Sequence, residues 1–147
     1  MPYTLTHIRI LRAPVERVWR ALTEPSAIVK WNPPDGFTAI VREMDFRTGG
    51  RFRMAFVNLT TGLEFGFGGS YREIVPNQRL VATYQFDDPN LPGEMVTTYV
   101  LRPVSCGTEL TVEQTGLPDA VPAESCRLGW QQSFELLARL VEPEIAA

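Results

Sequence analysis

The chain has 147 residues, a length typical of one domain with a single hydrophobic core. Hydrophobic residues make up 44% and charged residues 21%, an ordinary globular composition that excludes a disordered or fibrous protein. A net charge of −3, with no run of lysine or arginine, argues against binding to nucleic acid or to an anionic membrane. We therefore expect one domain over residues 1–147 whose partners are neither nucleic acid nor membrane.

The N-terminal segment lacks the continuous apolar core of a signal peptide, and no apolar run approaches the roughly 20 residues of a membrane span. We therefore place the protein in the cytoplasm, where Cys106 and Cys126 are expected to be free thiols. The single histidine, His7, and the wide spacing of the two cysteines leave no metal or catalytic-triad motif. The sequence predicts no metal and no cofactor.

The first predicted element is a strand at Tyr3–Leu11, because its apolar and polar residues alternate. We assign Ile8 and Ile10 to one face of this strand, and His7 and Arg9 to the opposite, solvated face.

Two short helices are predicted next. Ala13-Pro14 opens the first, with proline in the first turn, where its missing N–H group costs nothing. The second spans Ser26 to Trp31, with Ser26 as its N-cap, and stops before Asn32-Pro33-Pro34.

From Gly36 onward the hydrophobic period is two, which is typical of strands. We predict an antiparallel meander, with a bulge or sharp bend at Gly68-Gly69. Its strands are Phe37–Met44, Arg51–Phe56, Leu63–Phe67, Tyr71–Val75, Leu80–Phe86, Thr97–Leu101 and Glu109–Gln114. The turn between Asp45 and Gly50 favours a structural role over an anion site, because its glycines supply positive φ angles.

The last predicted element is a long amphipathic helix, Glu124 to Glu142. Trp130, Phe134, Leu137 and Val141 recur at steps of four, three and four, which places them on one face. A curved antiparallel sheet must bury one face, and only this helix is long enough to cover it. The sequence thus predicts an α+β helix-grip fold. About six to seven strands wrap around the C-terminal helix, two short helices follow the first strand, and a cavity between sheet and helix is a natural consequence.

The same residues resemble a known family, the activator of heat-shock-protein-90 ATPase homologues, within the SRPBCC/START-like superfamily. Six segments in the right order carry the resemblance: Ala13–Leu22 (APVERVWRAL), Trp31–Pro34 (WNPP), Asp45–Phe52 (DFRTGGRF), Tyr71–Pro76 (YREIVP), Gly107–Leu110 (GTEL) and Gly129-Trp130. The resemblance covers residues 8 to 142. It implies the helix-grip fold, and the family name implies a chaperone partner and a link to the stress response. It does not decide the function, because this fold hosts binding proteins, cyclases and co-chaperone domains.

Aromatic side chains from many elements would converge in such a fold and could line a cavity for a small apolar or aromatic ligand. Gln114 is the best polar candidate, because its register places it on the inward face with Leu110 and Val112. Tyr84, Tyr99 and Thr97 could accompany it. The predicted ligand-binding residues are Trp31, Phe37, Phe56, Phe67, Tyr84, Tyr99, Gln114, Trp130 and Phe134. In this picture Trp31 forms the mouth, and Trp130 and Phe134 form the roof.

The leading hypothesis is a domain that binds a hydrophobic small molecule, with no catalytic residues required. One alternative is a chaperone-linked interaction domain, whose surface contact would survive filling of the cavity. Another is a cyclase or dehydratase-like enzyme, with Tyr99, Tyr84 or Gln114 polarising a carbonyl group. Monomer and homodimer both remain open, because an exposed sheet edge allows a dimer but nothing in the sequence demands one.

Overall fold

The computed structural model describes residues 1–147 and contains seven strands and three helices. In chain order these are β1 (Tyr3–Leu11), α1 (Val15–Thr23), α2 (Pro25–Trp31), β2 (Phe37–Met44), β3 (Arg51–Asn58), β4 (Glu64–Val75), β5 (Arg79–Phe86), β6 (Met95–Val104), β7 (Gly107–Leu117) and α3 (Ala123–Val141). The strands form one antiparallel sheet in the order β1-β7-β6-β5-β4-β3-β2, so β1 and β2 are its edges. This is the predicted α+β helix-grip fold.

The main core lies where the sheet, α1, α2 and the C-terminal half of α3 meet. Leu11, Leu110 and Leu137 are completely buried there, on β1, β7 and α3 respectively. Trp31, at the end of α2, is also buried and donates its indole N–H to the carbonyl oxygen of Ala21 at 2.7 Å. This bond satisfies the polar atom that makes a buried tryptophan costly, and it joins the two short helices.

The face assignment predicted for β1 was wrong. Leu5, His7 and Leu11 are buried, whereas Ile8 and Ile10 are 62% and 50% exposed. Both alternating sets of β1 contain apolar residues, so the pattern alone does not decide which set faces inward. Pairing with β7 decides it, because only one register of an edge strand aligns its inward residues with those of its neighbour.

Arg9 also lies on the inward side of β1, which the apolar pattern would not suggest. Its guanidinium reaches the carboxylate of Glu135 on α3 at 3.0 Å, and both groups remain partly exposed. The pair lies beside α3 rather than beneath it, where an edge strand can keep a charge in contact with water.

The start of α2 also differs from the prediction. The helix begins at Pro25, with Glu24 rather than Ser26 in the N-cap position and no side-chain cap. The carbonyl oxygen of Glu24 accepts the first intrahelical bond, from the N–H of Ile28 at 3.0 Å. Proline at the first helical position already has the required φ and has no N–H to satisfy.

The glycine pair Gly68-Gly69 does not interrupt β4, so the bulge predicted there was wrong. The strand is continuous, and its register shift lies between Tyr71 and Glu73. A Cβ atom at Gly69 would lie 1.7 Å from the carbonyl oxygen of Thr83 on β5. Glycine is therefore needed at this position for the close approach of two strands.

The turn after β2 is built as the sequence indicates. Gly49 has a φ of 84°, and a Cβ at Gly50 would lie 1.9 Å from the carbonyl oxygen of Asp45. The Arg47 guanidinium pairs with the Asp45 carboxylate at 2.8 Å, on the surface. Both charges of the turn are thus engaged with each other.

Candidate functional site: a cavity under the N-terminal half of α3

A cavity of about 240 Å³ lies between the inner face of the sheet and the N-terminal half of α3. Its wall contains no charged side chain. The sheet contributes Phe56, Phe65, Phe67, Tyr84, Phe86, Met95, Thr97, Tyr99, Gln114 and Leu117, and the rest of the wall is Asn32, Pro34, Val121, Ser125, Cys126, Gly129, Trp130 and Ser133.

The space exists because α3 presents small side chains to this part of the sheet. Ser125, Cys126 and Gly129 line the cavity from the first turns of the helix. A Cβ atom built at Gly129 would meet no atom within 4 Å outside the neighbouring helical backbone. Farther along the same helix, larger side chains fill the corresponding space.

Aromatic rings line the rest of the cavity in a connected series. Phe56 and Phe67 meet edge to face with ring centroids 5.0 Å apart, and Phe67 lies 6.1 Å from Tyr84. On the helix side, the Trp130 ring lies 6.4 Å from the ring of Tyr99. These distances are typical of favourable aromatic pairs, so the rings of the wall pack against one another.

Two tyrosine hydroxyl groups meet at the cavity wall, with the oxygens of Tyr84 and Tyr99 3.1 Å apart. Neither hydroxyl has another hydrogen-bond partner in the protein. Burial raises the pKa of Tyr84 well above its ordinary value, and burial raises the pKa of Tyr99 to about 12. Both phenols are therefore protonated at neutral pH, and the pair acts as a donor and an acceptor rather than as a base.

Gln114 lies across the cavity in a fixed orientation. Its side-chain oxygen accepts a hydrogen bond from the Trp130 indole N–H at 2.9 Å. An indole nitrogen can only donate, so this contact determines which end of the amide is the oxygen. The NH₂ group of Gln114 has no hydrogen-bond acceptor in the protein and is available to one in the cavity.

Trp130 is supported from behind by His7. The two rings are nearly parallel, at 24°, with centroids 5.5 Å apart. The Nε2 atom of His7 is buried without a hydrogen-bond partner. Burial lowers the pKa of His7, while the nearby Gln114 amide acts in the opposite direction and the Arg127 charge lowers it further. The neutral imidazole is thus the form that the fold favours.

Six of the nine residues predicted to bind a ligand line this cavity: Phe56, Phe67, Tyr84, Tyr99, Gln114 and Trp130. The other three lie elsewhere. Phe134 packs beneath Trp130, with ring centroids 5.4 Å apart, and Phe37 contacts Phe65 at 6.1 Å. Trp31 lies in the core rather than at the mouth, beside a separate void of about 30 Å³.

Several wall residues were missed by the sequence reasoning. Phe65 and Phe86 belong to alternating sets whose other members were chosen, so the strand period contained that information. Gly129 and Ser125 were not predicted because their small side chains carry no apolar pattern that marks them as wall residues. Small residues near Trp130 on the predicted helix were the available signal for empty space.

A second depression lies on the opposite, outer face of the sheet and is lined mainly by polar and charged side chains. The Arg53 guanidinium crosses it to the Asp87 carboxylate at 2.5 Å, and Arg72 pairs with Glu94 at 2.9 Å. Each pair spans one intervening strand of the sheet, and its two charges neutralise each other. The inner cavity is therefore the better candidate for a site.

No group of three His, Cys, Asp or Glu side chains is placed to hold a metal ion. None of the three helices is long and apolar enough to cross a membrane.

Comparison with known families agrees with this architecture. The family model for Activator of Hsp90 ATPase homolog 1-like protein matches residues 12–142. The chain belongs to this family. The match begins at the end of β1 and runs to the end of α3, so it includes every element that forms the cavity wall. Comparison with curated proteins gives no match.

Solved structures of similar proteins share this fold. Protein CV1439 of Chromobacterium violaceum is 50% identical, with a TM-score of 0.94, over 96% of this chain and 98% of that one. Protein NE0264 of Nitrosomonas europaea is 28% identical, with a TM-score of 0.78, over 93% and 92% of the two chains. An AHSA1-like protein of Aeromonas hydrophila shares the fold at 20% identity, with a TM-score of 0.77, over 95% and 92%. The fold is therefore retained in the family at low sequence identity.

Proposed function

We propose that the protein binds a small, predominantly apolar molecule in the cavity under the N-terminal half of α3. The observation that carries the proposal is the uncharged aromatic wall around a volume of about 240 Å³. Ligand sites are typically concave and apolar, with a few polar groups that fix orientation. The Tyr84 and Tyr99 hydroxyls and the Gln114 amide are placed to serve as those groups.

A contact with a chaperone is the competing hypothesis, because it follows from the family name. Such a contact would use an outer surface and would not depend on whether the cavity is filled. An enzymatic reaction in the cavity could use the two protonated phenols only as hydrogen-bond donors that polarise a carbonyl group. No carboxylate or imidazole lines the cavity to accept a proton in such a reaction. Binding without catalysis therefore explains the uncharged aromatic composition of the cavity wall with the fewest additional assumptions.

A pair of variants on α3 tests the proposal. Gly129→Leu adds an apolar side chain at a position of the cavity wall where a Cβ atom would meet no neighbour. Gln131→Leu adds the same side chain two residues later, where the helix is exposed, and serves as the matched control. The measurement is native mass spectrometry of each purified protein, compared with its denatured mass.

We expect the wild type and Gln131→Leu to retain a co-purified small molecule that Gly129→Leu lacks. A panel of apolar and aromatic compounds should likewise raise the melting temperature of the first two proteins only. A clean apo mass for the wild type, together with no thermal shift from any compound, would contradict the proposal. Equal retention by Gly129→Leu would place the ligand outside this cavity.

A further inference from the structure

The chemical class of the ligand can be narrowed from the polar groups of the cavity wall, an inference that rests on the proposed function. We infer that the ligand is an uncharged aromatic molecule with one hydroxyl or carbonyl oxygen, and that this oxygen is bound by the Tyr84–Tyr99 hydroxyl pair. Three features of the site lead to this ligand class: the charges around the cavity, the hydrogen-bonding capacity of the tyrosine pair, and the size of the space.

The absence of charge in the wall disfavours an ionic ligand. No lysine, arginine, aspartate or glutamate lines the cavity. Nearby charges are directed elsewhere, because Arg9 is paired with Glu135 and Arg127 lies on the exposed part of α3. A carboxylate in the cavity would lose its hydration without gaining a counter-ion, which is strongly unfavourable.

The tyrosine pair offers a neutral oxygen both kinds of hydrogen bond. One hydroxyl of the pair donates to the other, so one O–H and several lone pairs stay unused. A ligand carbonyl can accept the free O–H, and a ligand hydroxyl can in addition donate to a lone pair. Burial keeps both phenols protonated at neutral pH, so this capacity does not change over the physiological range.

The dimensions of the cavity favour a small flat molecule. About 240 Å³ lies just below the roughly 300–1,000 Å³ that is usual for sites of drug-sized ligands. The aromatic rings of Phe67, Tyr84 and Trp130 provide faces and edges on several sides. A bicyclic aromatic compound matches both the volume and the wall.

Three probes with the same ring system separate the contributions of the ring, the neutral oxygen and the charge to the affinity: naphthalene, naphthol and naphthoate. Their binding at neutral pH is measured by isothermal titration calorimetry with the wild type. One neutral hydrogen bond should make naphthol bind about fivefold more tightly than naphthalene. Naphthoate should bind at least about 100-fold more weakly than naphthol, because its charge is uncompensated.

The double variant Tyr84→Phe/Tyr99→Phe then tests whether the tyrosine hydroxyl pair binds the oxygen of the ligand. Each single variant leaves one hydroxyl that could still bind the ligand, so the double variant is decisive. It should remove the advantage of naphthol over naphthalene while the affinity for naphthalene stays within about twofold of the wild type. Unchanged naphthalene binding also shows that the variant is folded and its cavity intact.

Each outcome has a distinct meaning. Naphthoate binding as tightly as naphthol, naphthol binding no better than naphthalene, or an advantage that survives in the double variant would each overturn the inference. In all three cases the proposed function would still stand. If none of the three probes binds, the proposed function itself fails, and the inference fails with it.

Discussion

The two halves of α3 face the same sheet and differ in what they bury. In the C-terminal half, Phe134, Leu137, Ala138 and Val141 are all buried against the sheet and α1. In the N-terminal half, from Ala123 to Gly129, no residue is fully buried, and the small side chains face the cavity. One continuous helix therefore closes a packed core at one end and roofs a hollow at the other.

The difference shows that the length and amphipathicity of a helix do not determine how tightly it packs. Side-chain volume along the inward stripe determines it, because small residues at the start of α3 leave a space unfilled that larger residues occupy farther along the helix. The packed half is expected to provide the stability, and the hollow half is expected to provide the binding. Substitutions in the two halves should therefore have different effects.

The largest contrast is expected between two leucines of α3. Leu137 is completely buried, and Leu137→Ala should lower the free energy of unfolding by about 3 kcal/mol, through lost burial and a new cavity. Leu128, in the other half, is 55% exposed, and Leu128→Ala should change the free energy of unfolding by less than about 0.5 kcal/mol. Urea denaturation of both variants gives the comparison. Equal losses would contradict the division of the helix into two halves.

A stabilising substitution is expected behind the cavity. His7→Phe keeps an aromatic ring against Trp130 and removes the unpartnered Nε2, so it should raise the free energy of unfolding by about 1 kcal/mol at neutral pH. Chemical denaturation measures the change. A loss of stability would show that the His7 imidazole makes a favourable interaction in the folded protein that phenylalanine cannot replace.

The same variant should alter the pH dependence of stability. The pKa of folded His7 lies below its ordinary value of 6.5, so the unfolded chain takes up the proton first as the pH falls. The wild type should therefore lose stability as the pH drops through about 6.5 towards the lower folded pKa, and His7→Phe should lack this loss. Denaturation curves at pH values on either side of 6.5 test this, and parallel behaviour of the two proteins would contradict it.

The smallest expected effect is that of Gly129→Ala, and Gly50→Ala serves as the contrasting variant. Gly129→Ala should raise the free energy of unfolding by roughly 0.5–1 kcal/mol, because alanine has a higher helix propensity than glycine and the new methyl group meets no neighbour. Gly50→Ala should lower it, because its Cβ would collide with the carbonyl oxygen of Asp45. Thermal unfolding of the pair shows the sign of each change. A destabilised Gly129→Ala would mean that the space beneath α3 is already filled.

Much of this structure could be predicted from the sequence, because periodicity records which side of an element faces inward. The stripe on α3 and the inward register of Gln114 both follow from it. The face of β1 could not be predicted, since both of its alternating sets contain apolar residues and pairing with β7 decides between them. The shape of the cavity could not be predicted either. Empty space depends on distances between elements, and its one local signal was Gly129.

The most direct test of the hollow half is a nuclear magnetic resonance titration of the ¹⁵N-labelled protein with naphthol. The chain has three tryptophans, so three indole N–H resonances report on three places. The indole of Trp130 and the side-chain NH₂ of Gln114, both in the cavity wall, should shift with the ligand, as should the amide of Gly129. The indole of Trp19, which packs against Phe46 away from the cavity, should stay unchanged. Shifts confined to Trp19 and the outer face of the sheet, or no saturable shifts at all, would contradict a ligand site beneath α3.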